Sequence, residues 1–264
     1  MTYRGYTLLA IFLASALVLA LSGDVNSVVG NLAIGLMGGA VILGVERMPS
    51  WRLLALATIC TFRCRQRLVR VSVSYLYRVR VGDRYLLIRS ERWPATHAPI
   101  GGVYKRLPGS EAHLKRLSVL DDDLHPIDER SKWDLRVRVP GWRVVNFLSW
   151  FNREENRELS PWREFYEEMV KPGHVPPERF RYLFYRRLGR RWTFPRWSEE
   201  RDRFEMFVAD IIEPVFDEEQ EAAIASIAGG ADLRWVTEEE IRARGVVANQ
   251  TPIPNISDRA IWTI

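Results

Sequence analysis

Cysteine and histidine are scarce in this 264-residue chain, with two of the first and four of the second. Cys60 and Cys64 stand four residues apart with no histidine beside them, so the chain carries neither a disulfide framework nor a zinc pattern. His97, His113, His125 and His174 are scattered, without a second ligand at helical or loop spacing, which sets aside a histidine-built metal centre. Charge is also missing from the first 45 residues, where only Arg4 and Asp24 interrupt apolar sequence. That leaves two apolar runs, residues 6–21 and 25–45, each close to the ~20 residues a helix needs to cross a hydrocarbon core.

Only Ser22-Gly23-Asp24 separates the two runs, so they read as a two-helix transmembrane hairpin over residues 1–48. A cleaved signal peptide fits less well, because a second apolar run follows at once. Residues 46–70 carry six arginines against Glu46, a basic connector over residues 49–70, while residues 71–264 hold equal numbers of acidic and basic groups. By the positive-inside rule, this places both ends of the hairpin on the cytoplasmic side of a membrane, as a multi-pass protein. The sequence pI of about 9.4 then reflects a lipid-facing belt and calls for no DNA or RNA partner. Gly35 and Gly39, with Ala40 and Gly44, form small-residue rows that either help helices associate or follow from ordinary membrane-helix composition. The apolar segment 51–62 is too short to span and reads as an interfacial helix or connector.

From Arg70 onward the pattern has period two. Val71, Val73, Tyr75, Tyr77, Val79 and Val81 alternate with Ser72, Ser74 and Leu76, and Gly82-Asp83 turns the chain into residues 84–89 as a β-hairpin. A second hairpin is expected from residues 135–139, turned by Pro140-Gly141, with 142–151 returning. Residues 111–120 suit a short helix, and 180–185 and 204–212 read as strands. Asp217 with Gln220 and Thr237 with Glu240 form capping boxes for two late helices, the first reaching Gly229-Gly230. Strands grouped around a few helices predict an α+β mixed-sheet sandwich over residues 71–264.

Ser160 and Pro161 start a further helix, as N-cap and first helical residue. On it Trp162, Phe165, Tyr166 and Met169 share one arc, while Glu164, Glu167 and Glu168 share the opposite one. Three carboxylates within one turn either form a solvated acidic face relieved by arginines or hold a hard divalent cation such as Mg²⁺ or Mn²⁺. In the run 179–192, arginines interleave with aromatics. That run either supplies phosphate-binding guanidinium groups, Arg181 first, or is an ordinary strand with a solvated cationic face.

Glu155, seven intervening residues and then Arg163-Glu164-Phe165-Tyr166-Glu167-Glu168 resemble the second half of the Nudix box. Tyr85-Leu86-Leu87-Ile88-Arg89 followed by Pro99-Ile100-Gly101-Gly102 resembles the Nudix strand leading into its glycine turn, and Arg234-Trp235-Val236-Thr237 resembles the family's late strand-to-helix step. The sequence departs from the box at Ser149 and Val170, where glycines are usual, and in the roughly sixty residues between Gly102 and Arg163. In order of parts the chain resembles the SMODS-associated Nudix proteins, effectors of bacterial CBASS antiphage systems.

That resemblance implies a Nudix-like domain that binds a cyclic nucleotide second messenger; the expected nucleotide contacts are Arg163, Gly101 and Gly102, with Arg181 from the arginine-aromatic run, and Mg²⁺ or Mn²⁺ is expected on Glu164, Glu167 and Glu168. It also implies homo-oligomers whose hairpins then disrupt the inner-membrane lipid. The alternative is a membrane-anchored pyrophosphohydrolase of nucleoside diphosphate derivatives, with Glu167 and Glu168 catalytic. A nucleotide-free scaffold is the blandest reading.

Overall fold

The computed structural model describes residues 14–15, 51–91, 93–124, 128–129, 131–246 and 255–264. Contacts divide the chain into two compact units, Met1–Thr58 and Ile59–Ile264. The apolar helix α1 is Trp51–Phe62, 12 residues long. The transmembrane hairpin expected over residues 1–48, and the multi-pass inner-membrane location derived from it, must be withdrawn: among the described residues no helix is long and apolar enough to cross a membrane. Helix α1 falls about eight residues short of a span. The apolar runs 6–21 and 25–45 lie, apart from Ala14 and Ser15, outside the described residues.

The second unit contains a mixed α/β domain in which two sheets and short helices surround one strand. That strand, β1 (Leu68–Tyr77), is buried along nine of its ten residues, which fits its mostly short or apolar side chains, and its one charged residue, Arg70, is paired with Asp122 and Glu205. It is followed by β2 (Arg80–Val81), β3 (Arg84–Arg89), β4 (His97–Pro99) and β5 (Gly101–Val103). Next come helix α2 (Glu111–Arg116) and strands β6 (Leu120–Asp121) and β7 (Arg136–Pro140). Helix α3 (Val144–Asn152) follows a single 3₁₀ turn, and helix α4 (Trp162–Phe165) continues as a π turn over Tyr166–Val170. The remainder is β8 (Phe184–Trp192), β9 (Arg196–Ser198), β10 (Arg203–Val215), α5 (Glu218–Ala225), β11 (Leu233–Thr237), α6 (Glu238–Arg242) and a 3₁₀ segment at Asp258–Trp262.

The larger sheet runs β6-β7-β1-β10-β8, with β5 added to β1 and β9 to β10; the smaller runs β11-β3-β2, with β4 on β3. β1 and β10 are parallel and in register from Val69 opposite Phe204 to Tyr77 opposite Ile212. The tight turn at Gly82-Asp83 forms as expected, with Gly82 at φ +62°, but only β2 and β3 make the hairpin. β1 leaves that hairpin to centre the other sheet, where parallel pairing with a strand 135 residues later buries both of its faces.

On one face of β1, Val71, Val73, Tyr75 and Tyr77 pack toward the helices. The Tyr77 ring lies 5.4 Å from Phe165 of α4, and Tyr104 lies 5.2 Å from Phe151 of α3. On the other face, Arg70, Ser72, Ser74 and Leu76 floor a cleft. Its far wall is the C-terminal segment, which packs Ile256 and Ala260 against Tyr85, Leu87 and Val236 of the smaller sheet.

The second expected hairpin is half right. β7 is a strand, but 144–152 returns as a helix, with Val144, Phe147, Trp150 and Phe151 buried at helical spacing. Gly141 decides the turn, since a Cβ there would stand 2.0 Å from the Cys64 carbonyl oxygen. β8 begins at Phe184, four residues later than read from sequence, and α5 stops at Ala225, short of Gly229. Both capping boxes form as predicted. Truncating Phe147 to Ala should cost about 3–5 kcal/mol in a denaturant titration, as for any fully buried phenyl ring, whereas Trp142→Ala, more than half exposed, should cost under about 0.5 kcal/mol.

Candidate functional site

The cleft over β1 has a volume of about 510 Å³ and is bordered at one end by Gly101, Gly102, Glu164, Glu167 and Glu168. Its shape there comes from a glycine pair. Gly101 sits at φ +146°, and a Cβ on it would lie 2.2 Å from the Tyr75 carbonyl oxygen. A Cβ on Gly102 would lie 2.0 Å from the Glu164 carboxyl. Neither position admits a side chain, so the acidic helix can lie directly against the sheet. The Gly101 amide donates to Glu168 Oε2 at 2.8 Å, which fixes that carboxyl at the cleft end.

Local sequence explains how the carboxylates are presented. Ser160 Oγ accepts from the Trp162 amide at 3.3 Å, a weak start to a helix whose first residue has no capping bond from Pro161. After one turn the chain widens, and the Lys171 amide reaches back to the Tyr166 carbonyl at 2.8 Å, five residues away. The π turn breaks the expected arc. Phe165 and Met169 stay buried, Tyr166 turns outward, and the three glutamates separate into Glu164 at 16 % side-chain exposure and Glu167 at 45 %, with Glu168 tucked against Gly101.

Arg163 ties this end together. Its guanidinium donates to both Glu158 oxygens at 2.9 and 3.2 Å, to Glu164 at 2.5 Å and to the Val103 carbonyl at 3.1 Å. Burial works against its charge, but the bonds to Glu158 and the nearby Glu164 hold it firmly protonated. Glu155, the acidic residue at the box spacing, is exposed. Glu158 takes the arginine, because Arg157 is stacked 4.0 Å from the Phe151 ring and donates to the Phe151 and Glu158 carbonyls, and so clamps the loop three residues further on.

Burial raises the Glu168 carboxyl to about 8, and repulsion from Glu164, Glu91 and Glu167 adds to this against the opposing Gly101 hydrogen bond. Glu164 is raised by burial as well, with Arg163 opposing. These are hard oxygen donors that repel one another, and this donor chemistry fits Mg²⁺ or Mn²⁺. Among the described residues no group of three or more His, Cys, Asp or Glu forms a ready-made metal cage. Mg²⁺ characteristically takes one or two carboxylates and fills its remaining positions with water and phosphate oxygens. Glu164 and Glu168 are the pair that would hold it, with Glu167 at the rim.

Of the residues singled out from sequence, Arg163, Gly101, Gly102, Glu164, Glu167 and Glu168 come together on this cleft, and Arg181 does not border it. Arg181 is exposed, and its neighbours in the same run are engaged elsewhere: Arg190 bonds Asp210 at 2.6 Å, Arg187 bonds Glu154 at 3.2 Å and Arg186 pairs with Glu213. The cleft also holds residues without a local sequence signal, among them Arg136, Phe207, Arg259 and the exposed Trp93. Only the pairing of distant strands brings them here, although the arginine-aromatic pairing of Arg259 with Phe207 is the kind of contact composition hints at.

The family model of the SMODS-associated NUDIX domain matches residues 68–264. The chain belongs to that family. Comparison with curated proteins and with solved structures found no match. In this SMODS-associated NUDIX domain the box residues Glu164 and Glu168 are therefore brought to a cleft by the glycine turn, as Nudix domains generally require for divalent ions.

The titration of Glu168 has a signed consequence. Its folded value lies near 8 against an ordinary 4.5, so the unfolded chain ionises first, and stability present below about pH 4.5 falls as pH rises toward 8. In chelator, Glu168→Gln should remove that loss and leave the variant more stable than the parent at pH 8 by on the order of 2–4 kcal/mol, with the two converging near pH 4. Melting curves across this range check it, and a constant offset at all pH values would contradict it.

Proposed function

We propose that this domain is the nucleotide sensor of a CBASS antiphage effector, with its cleft binding a cyclic nucleotide second messenger. The observation that carries the reading is the meeting, in one cleft of about 510 Å³, of the Glu164–Glu168 end with arginines and exposed aromatic surface. A phosphate needs the first through a cation and the second directly, and a base needs the third. Membership of the SMODS-associated NUDIX family supports the defence setting. A divalent ion on Glu164 and Glu168 would neutralise phosphate charge and polarise the phosphorus–oxygen bonds of the ligand. The protein's own groups would do the rest: Arg163 holds Glu164 in place, and Gly101 orients Glu168. Ligand binding would favour one arrangement of assembled copies, as a homo-oligomeric effector requires.

One observation favours a second reading. Glu168 near 8 is poised to exchange a proton close to neutrality at the cleft surface, which is what a Nudix-type hydrolase needs from a base. Calorimetry with cyclic di- and trinucleotides in Mn²⁺, with product analysis of the same mixtures, separates the readings. A sensor binds at micromolar or tighter Kd and returns the ligand intact, and Glu164→Ala together with Glu168→Gln weakens binding at least tenfold. Because protons compete with the ion for Glu168, affinity in Mn²⁺ should also rise several-fold between pH 6 and 8.5. Turnover abolished by Glu167→Gln and Glu168→Gln would establish the hydrolase instead, and absence of binding to any nucleotide would end both.

A further inference from the structure

The far end of the cleft, away from the glutamates, repeats the logic of a phosphate site. Strand register measures how far away it is. Gly101, whose amide holds Glu168, lies opposite Leu76 of β1. Ser72, four residues back along the same face, lies between Arg136 of β7 on one side and Phe207 of β10 on the other. At about 3.3 Å per residue, the two levels are separated by roughly 13 Å along the floor. The Arg136–Ser72–Phe207 level is a rung across the sheet, and all three residues border the cleft.

Two arginines border the cleft at that rung, Arg136 on the β7 side and Arg259 beside Phe207 on the β10 side. Arg136 bonds Asp134 at 2.6 Å through one terminal nitrogen, while its buried Nε–H meets no acceptor among the described residues. A buried, unanswered donor on a charged group is costly unless something completes it. Arg259 lies 4.5 Å over the Phe207 ring, which covers the aromatic face and holds the planar fork at the cleft. Its backbone is fixed by the segment before it, where the Ser257 amide donates to the His97 carbonyl at 2.8 Å and the His97 amide donates to the Asn255 carbonyl at 2.9 Å. The hydroxyl-bearing Ser72 and Ser257 stand nearby on the lining.

Resting on the nucleotide-binding reading above, we propose that the Arg136–Arg259 rung is a second anion subsite, which takes a phosphate of an oligonucleotide whose first phosphate is held at the glutamate end. Two phosphates sharing one bridging oxygen, as in a nucleoside diphosphate, cannot reach both ends of a floor this long. The ligand class is therefore one with phosphates separated by at least one nucleoside. Arginine suits the far position because its fork donates to two phosphate oxygens at once, without a metal.

Calorimetry on the full chain tests this with a panel of cyclic di- and trinucleotides of mixed bases, and with ADP and UDP as single-end probes, all in Mn²⁺. Arg136→Gln and Arg259→Gln should each weaken the tightest cyclic ligand tenfold or more and leave ADP and UDP within twofold. Arg259 sits on a partly exposed 3₁₀ segment, so if Arg136→Gln shifts the melting midpoint, Arg259→Gln alone decides. Equal losses for ADP and for the cyclic ligand would mean that the rung reads a base, and would overturn the proposal. Unchanged affinity for the cyclic ligand in both variants would also overturn it while leaving the nucleotide reading intact. No binding by the parent chain would remove both.

Discussion

The contact between the Gly101–Gly102 turn and the carboxyls of Glu164 and Glu168 sets the geometry of the whole site. It is a contact of exclusion, since neither glycine has room for a single carbon more. Because β5 can be bare backbone at that point, α4 lies close enough for a main-chain amide to hold Glu168 and for Arg163 to reach the Val103 carbonyl. Any side chain at position 102 would have to displace the Glu164 carboxyl itself, and with it the arginine that bridges Glu164 and Glu158. The shape of the acidic end is thus a property of backbone proximity, and its charge follows from that shape.

Crowding those acids has an electrostatic cost that the fold offsets only in part. Arg163 is shared among Glu158, Glu164 and, at 3.6 Å, Glu167, so one cation answers several anions. Burial pushes the Glu168 carboxyl up, and the Gly101 amide opposes this only in part. The opposite end of the cleft has the reverse arrangement: Arg70 is answered by Asp122 and Glu205 and Arg136 by Asp134, but an Arg136 N–H is left over. A cleft lined by crowded carboxylates at one end and by arginines at the other suits a ligand carrying phosphate, bound through a cation at the acidic end and directly at the arginine end. The aromatic packing behind β1, from Tyr75 through Tyr104 to Phe151, keeps the strand that floors both ends rigid.

Signals written within a few residues were legible. The Gly82-Asp83 turn, the capping boxes of Asp217 and Thr237, the short helix after Ser110 and the conjunction of a glycine pair with Glu164 and Glu168 all formed where the residues placed them. Signals compatible with two periods were misread. The stretch from Trp142 to Phe151 is apolar enough for a strand, but Val144, Phe147, Trp150 and Phe151 are buried at helical spacing. The acid that meets Arg163 carried no local signal: Arg157 holds the loop so that Glu158 arrives beside it, while Glu155 is exposed.

By itself, the sequence determined the family, the turn glycines and the acidic helix, because each is encoded by neighbours along the chain and needs no partner to be recognised. Tertiary structure alone decided that β1 and β10 pair residues 135 positions apart, that Arg181 stands apart from the cleft, and that Arg136, Phe207 and Arg259 all border it. It also set aside the membrane-spanning reading among the described residues, where the apolar helix ends after 12 residues. The physical reason is common to these cases. Strand pairing and burial are settled by which surfaces can be removed from water together, and that is a property of the assembled chain.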